Sequence, residues 1–130
     1  MPPACSRLWP MADFKNLVVW QKGHALTIAT IEAVEDIRGN AGSIVRTQLI
    51  RSMLSVGSNI AEGSAKRSDR EFARFVRIAL GSATESENHF LVLKDLLLIS
   101  QETFDTLAKK LEEVCKMLSG LEQRLAADSS

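Results

Sequence analysis

The chain has 130 residues with no net charge, 45% apolar and 25% charged. That is about one domain of ordinary soluble composition, too short for two and too rich in apolar residues for a disordered chain. No segment approaches the roughly 18 uninterrupted apolar residues of a membrane span, and neutrality argues against strong nonspecific affinity for nucleic acid. All three prolines lie in the first ten residues, so long helices are permitted from there on.

The opening residues, 1–12, read as a flexible extension ahead of a single domain over 13–127. Met1 to Pro10 lacks the apolar stretch of a signal peptide, and Met11-Ala12-Asp13-Phe14 has the composition of an ordinary start. Cys5 and Cys115 stand at no metal-ligand spacing and read as reduced thiols of a cytoplasmic protein.

A first helix is predicted from about Leu17 to Ile37, with Trp20, Ile28, Ile31 and Val34 turned inward. Gly39 and Gly42 punctuate its end. The second runs from about Ile44 to Glu62, burying Val45, Leu49, Met53, Val56 and Ile60, with Gly63 as a left-handed stop. The third opens on Ser68-Asp69-Arg70-Glu71, a capping box, and continues to Leu98. Its inward face is Phe72, Phe75, Val76, Ala79, Ala83, Phe90, Leu93 and Leu97. The fourth carries the clearest pattern: Phe104, Leu107, Leu111, Val114, Leu118, Leu121 and Leu125 repeat at alternating steps of three and four, with Ser100 as cap. Short connections make neighbours antiparallel, so the predicted fold is all-α, an up-down-up-down four-helix bundle.

Chemistry-bearing patterns are few. His24 falls on the apolar side of the first helix and reads as a core histidine rather than a ligand. His89 lies four residues after Glu85 but lacks further partners for a metal. There is no phosphate loop and no nucleophile–base motif, so neither a cofactor nor catalysis is expected. Cys115 beside the fourth stripe reads as a small core or interface residue.

Two polar features stand out. Gln48, Ser52, Ser55, Asn59 and Glu62 form a second stripe on the second helix, answered by Gly81, Ser82 and Glu85 on the third. This is either a solvated face or a seam or cleft in which Asn59, Glu62 and Glu85 bond to Arg51 or Arg77. The mid-helix Gly81 suggests a close approach there. Charge is also segregated: Arg38 to Gly81 holds eight basic and three acidic residues, whereas Ser82 to Ser130 holds five basic and nine acidic. Lys66, Arg67, Arg70, Arg74 and Arg77 form a basic stripe suited to gripping phosphates, or to a solvated face or subunit contact.

Phe14-x-x-Leu17-x-Val19-Trp20-Gln21, Gln48-Leu49-x-Arg51-Ser52, Ser58-Asn59-Ile60-Ala61-Glu62-Gly63 and Glu71-Phe72-x-Arg74-Phe75-x-x-Ile78-Ala79-x-Gly81-Ser82-x-x-Glu85 resemble the bacterial four helix bundle protein family. Its first members were found encoded in intervening sequences of large-subunit ribosomal RNA genes. The resemblance spans about Asp13 to Leu125. It implies a small cytosolic bundle that assembles as a homopentamer. A related branch, the accessory protein of diversity-generating retroelements, binds nucleic acid and a reverse transcriptase through a basic surface. No catalytic residues carry over; Arg51, Asn59, Glu62, Gly63, Gly81, Ser82 and Glu85 match the motif. After Glu85 the chain departs from the pattern, with the more acidic Ser86-Glu87-Asn88-His89. The expectation is a noncatalytic oligomeric scaffold or binding module for RNA, DNA or a protein. The alternative is a small enzyme or a small-molecule or metal-binding protein with a cleft around Asn59, Glu62 and Glu85.

Overall fold

The structure, a computed structural model, describes residues 13–128; the expected N-terminal extension lies outside them. After a short 3-10 turn at Phe14–Asn16, four helices follow: α1 (Val18–Val34), α2 (Asn40–Ser64), α3 (Asp69–Asp95) and α4 (Gln101–Asp128). The described residues contain no strand. Each helix reverses on the one before it, α2 and α3 pack most extensively, and α1 closes the bundle against α2 and α4. This is the predicted four-helix bundle.

The starts of α3 and α4 are set by side-chain caps, whereas α1 and α2 begin without one. Ser68 Oγ accepts from the Glu71 backbone N–H at 3.1 Å, and Ser100 Oγ accepts from that of Thr103 at 3.0 Å. Both hydroxyls occupy donors that have no partner within a helix. The core is the meeting of the predicted stripes. Leu49, Met53, Val56 and Ile60 of α2 face Val76, Ala79, Ala83, Phe90 and Leu93 of α3, and Leu107, Leu111, Val114, Leu118 and Leu125 of α4 complete it.

Five local expectations are corrected. Ile28 is 45% exposed rather than inward, because α1 is rotated to bury Val19, Gly23, Leu26, Thr27, Thr30 and Val34. Gly23 and the threonines let α1 sit close to α2, where Thr27 Oγ1 donates to Gly23 O at 2.8 Å and lies 3.3 Å from Met53 O. The same rotation puts His24 at the surface instead of in the core, its ring stacked on Trp20 at 4.7 Å.

Gly63 is no left-handed stop but a buried helical residue. A Cβ there would stand 2.6 Å from Phe75 Cβ and 2.9 Å from Phe72 Cδ1, so its lack of a side chain admits α3. Gly42 acts likewise inside an α2 that begins earlier than expected: its Cβ would meet Ile37 Cγ2 at 2.8 Å. Leu97, expected inward, is 88% exposed and left-handed, with φ of 61°. It ends α3 in a Schellman arrangement, Leu97 N–H donating to Lys94 O and Leu98 N–H to Leu93 O, both at 2.9 Å. Leu98 and Ile99 supply the apolar contact instead.

Leu118 has no exposed surface and Leu111 almost none. Leu→Ala at either is expected to lower stability by about 2–5 kcal/mol in urea unfolding. A change below about half a kcal/mol would place the α4 stripe in solvent.

Candidate functional site: the polar seam and the basic stripe

The seam joins α2 to α3 as a ladder of hydroxyls. Ser52 Oγ and Ser86 Oγ lie 2.7 Å apart, both buried, and one turn along Ser55 Oγ and Ser82 Oγ lie 2.8 Å apart. Ser52 Oγ also reaches Leu49 O at 3.0 Å, and Ser86 Oγ reaches Ser82 O at 3.0 Å. Each hydroxyl has one hydrogen, so in the buried pair one serine donates across to its partner and the partner donates back to its own helix. Asn59 Nδ2 extends the ladder, donating to Ser55 O at 2.8 Å and to Ser55 Oγ at 2.9 Å.

Of the residues singled out from sequence, the structure brings together Ser52, Ser55, Asn59 and Ser82. Glu62, Gln48 and Arg51 lie exposed on the outer side of α2. Glu85 turns along its own helix to His89, Oε2 to Nε2 at 3.1 Å. Arg77 leaves the seam for α4, where its Nη1 meets Glu122 Oε2 at 3.2 Å. Sequence reasoning missed Ser86, the most buried rung. Its place one helical turn from Ser82, as Ser52 stands one turn from Ser55 on the facing helix, is the signal that could have found it. Gly81 is exposed, and an added Cβ would meet no atom within 4 Å, so the expected close approach is absent within the chain.

The basic stripe is partly engaged. Arg74 Nη2 lies 3.4 Å from Glu71 Oε1, and its guanidinium covers the Phe75 ring at 4.7 Å. Lys66 Nζ approaches the same ring at 5.1 Å. The ion pair is about half exposed and both cations lie at the surface over the buried Phe75 ring, so these contacts are individually weak. Arg67 and Arg70 stand exposed beside them, and Arg77 is drawn to Glu122. The stripe therefore narrows to a cluster where α2 ends and α3 begins.

Elsewhere, Cys115 lines an open groove between α3 and α4 with Glu87, Phe104 and Glu112. Burial, and then the carboxylates of Glu87 and Glu112, push its thiol above the ordinary range. Among the described residues no three His, Cys, Asp or Glu side chains are grouped to hold a metal ion, and no helix is long and apolar enough to cross a membrane.

These features define a small helical bundle whose buried polar groups join helix to helix. The chain belongs to the 23S rRNA-intervening sequence protein family, whose model matches residues 15–120. A similar solved structure is the crystal structure, at 1.70 Å, of a protein of unknown function from the S23 ribosomal protein family of Bacteroides thetaiotaomicron. It is 24% identical, with a TM-score of 0.74 over 81% of this chain and 98% of that one, a likeness of fold. No curated protein matches the chain.

The ladder predicts a measurable coupling. Ser52→Ala and Ser86→Ala are each expected to cost about 1–2 kcal/mol, and the double variant about 1 kcal/mol less than their sum. Additive losses in a double-mutant cycle would show that the two hydroxyls do not support each other.

Proposed function

We propose that the chain is a noncatalytic cytoplasmic scaffold that works as a homo-oligomer, a ring of five, and presents its basic cluster to a partner. The observation that carries the noncatalytic part is the use made of the seam. Ser52, Ser55, Asn59, Ser82 and Ser86 are bonded to one another, and Glu62, Glu85 and Arg51 do not converge with them. A cleft enzyme needs such groups aimed at a common point in open space. The oligomeric part rests on family membership together with exposed apolar side chains on more than one flank of the bundle. Light scattering is expected to give a particle of about five 14.3 kDa chains. A monomer at micromolar concentration would overturn the oligomeric reading.

The partner favoured by Lys66, Arg67, Arg70 and Arg74 is RNA or DNA. Five copies of a weak phosphate-gripping cluster gain affinity through multivalency, which offsets the neutrality of the chain. Binding is expected to be weak and to fall steeply between low and physiological salt as released counterions are returned. Arg70→Glu with Arg74→Glu should abolish it while helix content and particle size stay unchanged. Equal binding by parent and variant would leave the stripe a solvated face, and dissociation into monomers would make it a subunit contact.

A further inference from the structure

The helices of this bundle are joined across their grooves in different ways. The serine ladder fills the seam between α2 and α3. Between α1 and α4, Lys22 Nζ reaches Glu113 Oε2 at 3.2 Å, and nearer the start of α3 Arg77 reaches Glu122 of α4 at the same distance. Opposite charges thus tie α4 to both of its neighbours. Further along α3 the pattern reverses. At the Cys115 groove the two helices present like charges to each other, Glu87 from α3 and Glu112 from α4. Among the described residues neither carboxylate has an ion-pair or hydrogen-bond partner.

Between these carboxylates the groove is apolar. Phe104, Ala108 and Cys115 fall four and seven residues apart on α4, so they share one side of that helix. Glu87, Leu91 and Lys94 share the facing side of α3 by the same spacing, and Leu91 is 39% exposed. Lys94 shows what this lining accepts, for its Nζ stands over the Phe104 ring at 4.7 Å. Lys109 also borders the groove. The field at the thiol nevertheless comes from the two carboxylates, which add to burial in pushing Cys115 above its ordinary range.

We propose that this groove is a docking site for a basic amphipathic helix of a partner protein, its apolar side lying on Phe104, Ala108, Cys115 and Leu91 and its lysines or arginines meeting Glu87 and Glu112. A helix suits the shape, because the groove runs open between two antiparallel helices and does not enclose a small molecule. Basic residues suit the charge. Two carboxylates facing across a groove repel, and a cation set between them removes the repulsion. Exposed ion pairs are weak in water, so the charges choose and orient the helix while apolar contact holds it.

The site is separate from the basic cluster in place and in sign. Glu87 lies about 25 Å along α3 from Arg70, at 1.5 Å per residue. A phosphate drawn to Lys66, Arg67, Arg70 and Arg74 is repelled by Glu87 and Glu112, and a basic helix drawn to the groove is repelled by the cluster. The chain therefore has room for two ligands of opposite charge at once, and the docking of the helix does not depend on the binding of nucleic acid.

Cys115 is half-buried in the groove and reports on its cover. The probe is a synthetic helical peptide of leucine and lysine, about four turns long, with a leucine and glutamate counterpart as control. Alkylation by iodoacetamide is followed by mass spectrometry on the fragment that carries Cys115, apart from Cys5. The basic peptide should slow alkylation about tenfold at ten times its Kd, and the acidic one should leave the rate unchanged. Glu87→Gln with Glu112→Gln should weaken protection about tenfold. Its free thiol should also react faster, since the carboxylates that favour the protonated form are gone. Arg70→Glu with Arg74→Glu should leave protection intact. Unchanged alkylation at about 1 mM basic peptide overturns the proposal. Equal protection by both peptides, or in the Glu87 and Glu112 double variant, overturns it by making the groove merely apolar. A thiol shielded in the native protein and freed when dilution splits an oligomer gives the groove to a second copy and overturns it as well.

Discussion

The contact between α2 and α3 is the constraint on which the rest of this bundle depends. It is fixed at three levels along its length. At one end Gly63 admits Phe72 and Phe75 to a separation that any Cβ would forbid. In the middle the Ser52–Ser86 and Ser55–Ser82 pairs hold the helices in one register. At the other end Gly42 accepts Ile37 and Leu98. Apolar packing alone tolerates a slide of one turn, because a stripe of leucines and valines repeats. Hydroxyl pairs do not, since a slide would leave buried donors and acceptors unpaired at a cost of about 1–3 kcal/mol each. The seam therefore specifies the fold more than it stabilises it, and α4 and α1 pack onto a pair whose register is already set.

Much of this was legible in sequence where one force dominated. The α4 stripe, the Ser68 and Ser100 caps and the α2 core residues follow from periodicity and from the needs of helix ends, which are local rules. The misreadings fell where two forces competed. In α1 apolar residues occur on nearly every side, so periodicity could not choose a face. The choice went to Gly23, Thr27 and Thr30, whose small size allows a close approach to α2, and Ile28 and His24 were left outside. At Gly63 the sequence offered a helix stop and a close contact, and the contact prevailed because two phenylalanines of α3 lie against it. At Leu97 the heptad pattern continued past the point where the Schellman hydrogen bonds had already turned the chain.

The candidate site was legible as a set of residues but not as a geometry. The stripe Gln48, Ser52, Ser55, Asn59, Glu62 was visible as a polar line, and its inner members do face α3. Whether such a line is a cleft or a ladder depends on the partner helix, and Ser86 decides it. The basic stripe shows the same limit. Arg70, Arg74 and Arg77 share a helical face in any sequence reading, but Glu122, which draws Arg77 away, arrives from a helix 45 residues further along the chain. Spacing rules see neighbours on one helix, and the chemistry of a bundle surface is set by neighbours on two.

Helix α1 packs less extensively on the bundle than α2, α3 or α4 does. Its inner side intersperses Val19, Leu26 and Val34 with Gly23, Thr27 and Thr30, which bury little apolar area, while Val18 and Ile28 remain exposed. Stabilisation by burial scales with the apolar area removed from water, so α1 draws less from the bundle than α3 or α4 does. Trp20 over Gly57 and His24 over Trp20 add ring contacts at the surface to the core contacts of Val19, Leu26 and Val34. Whatever binds only the folded chain raises its stability by mass action, and a ligand that covered this surface would add most at α1. The difference between the two seams follows from the residues: serines and large apolar side chains where α2 meets α3, glycine and threonine among Val19, Leu26 and Val34 where α1 docks.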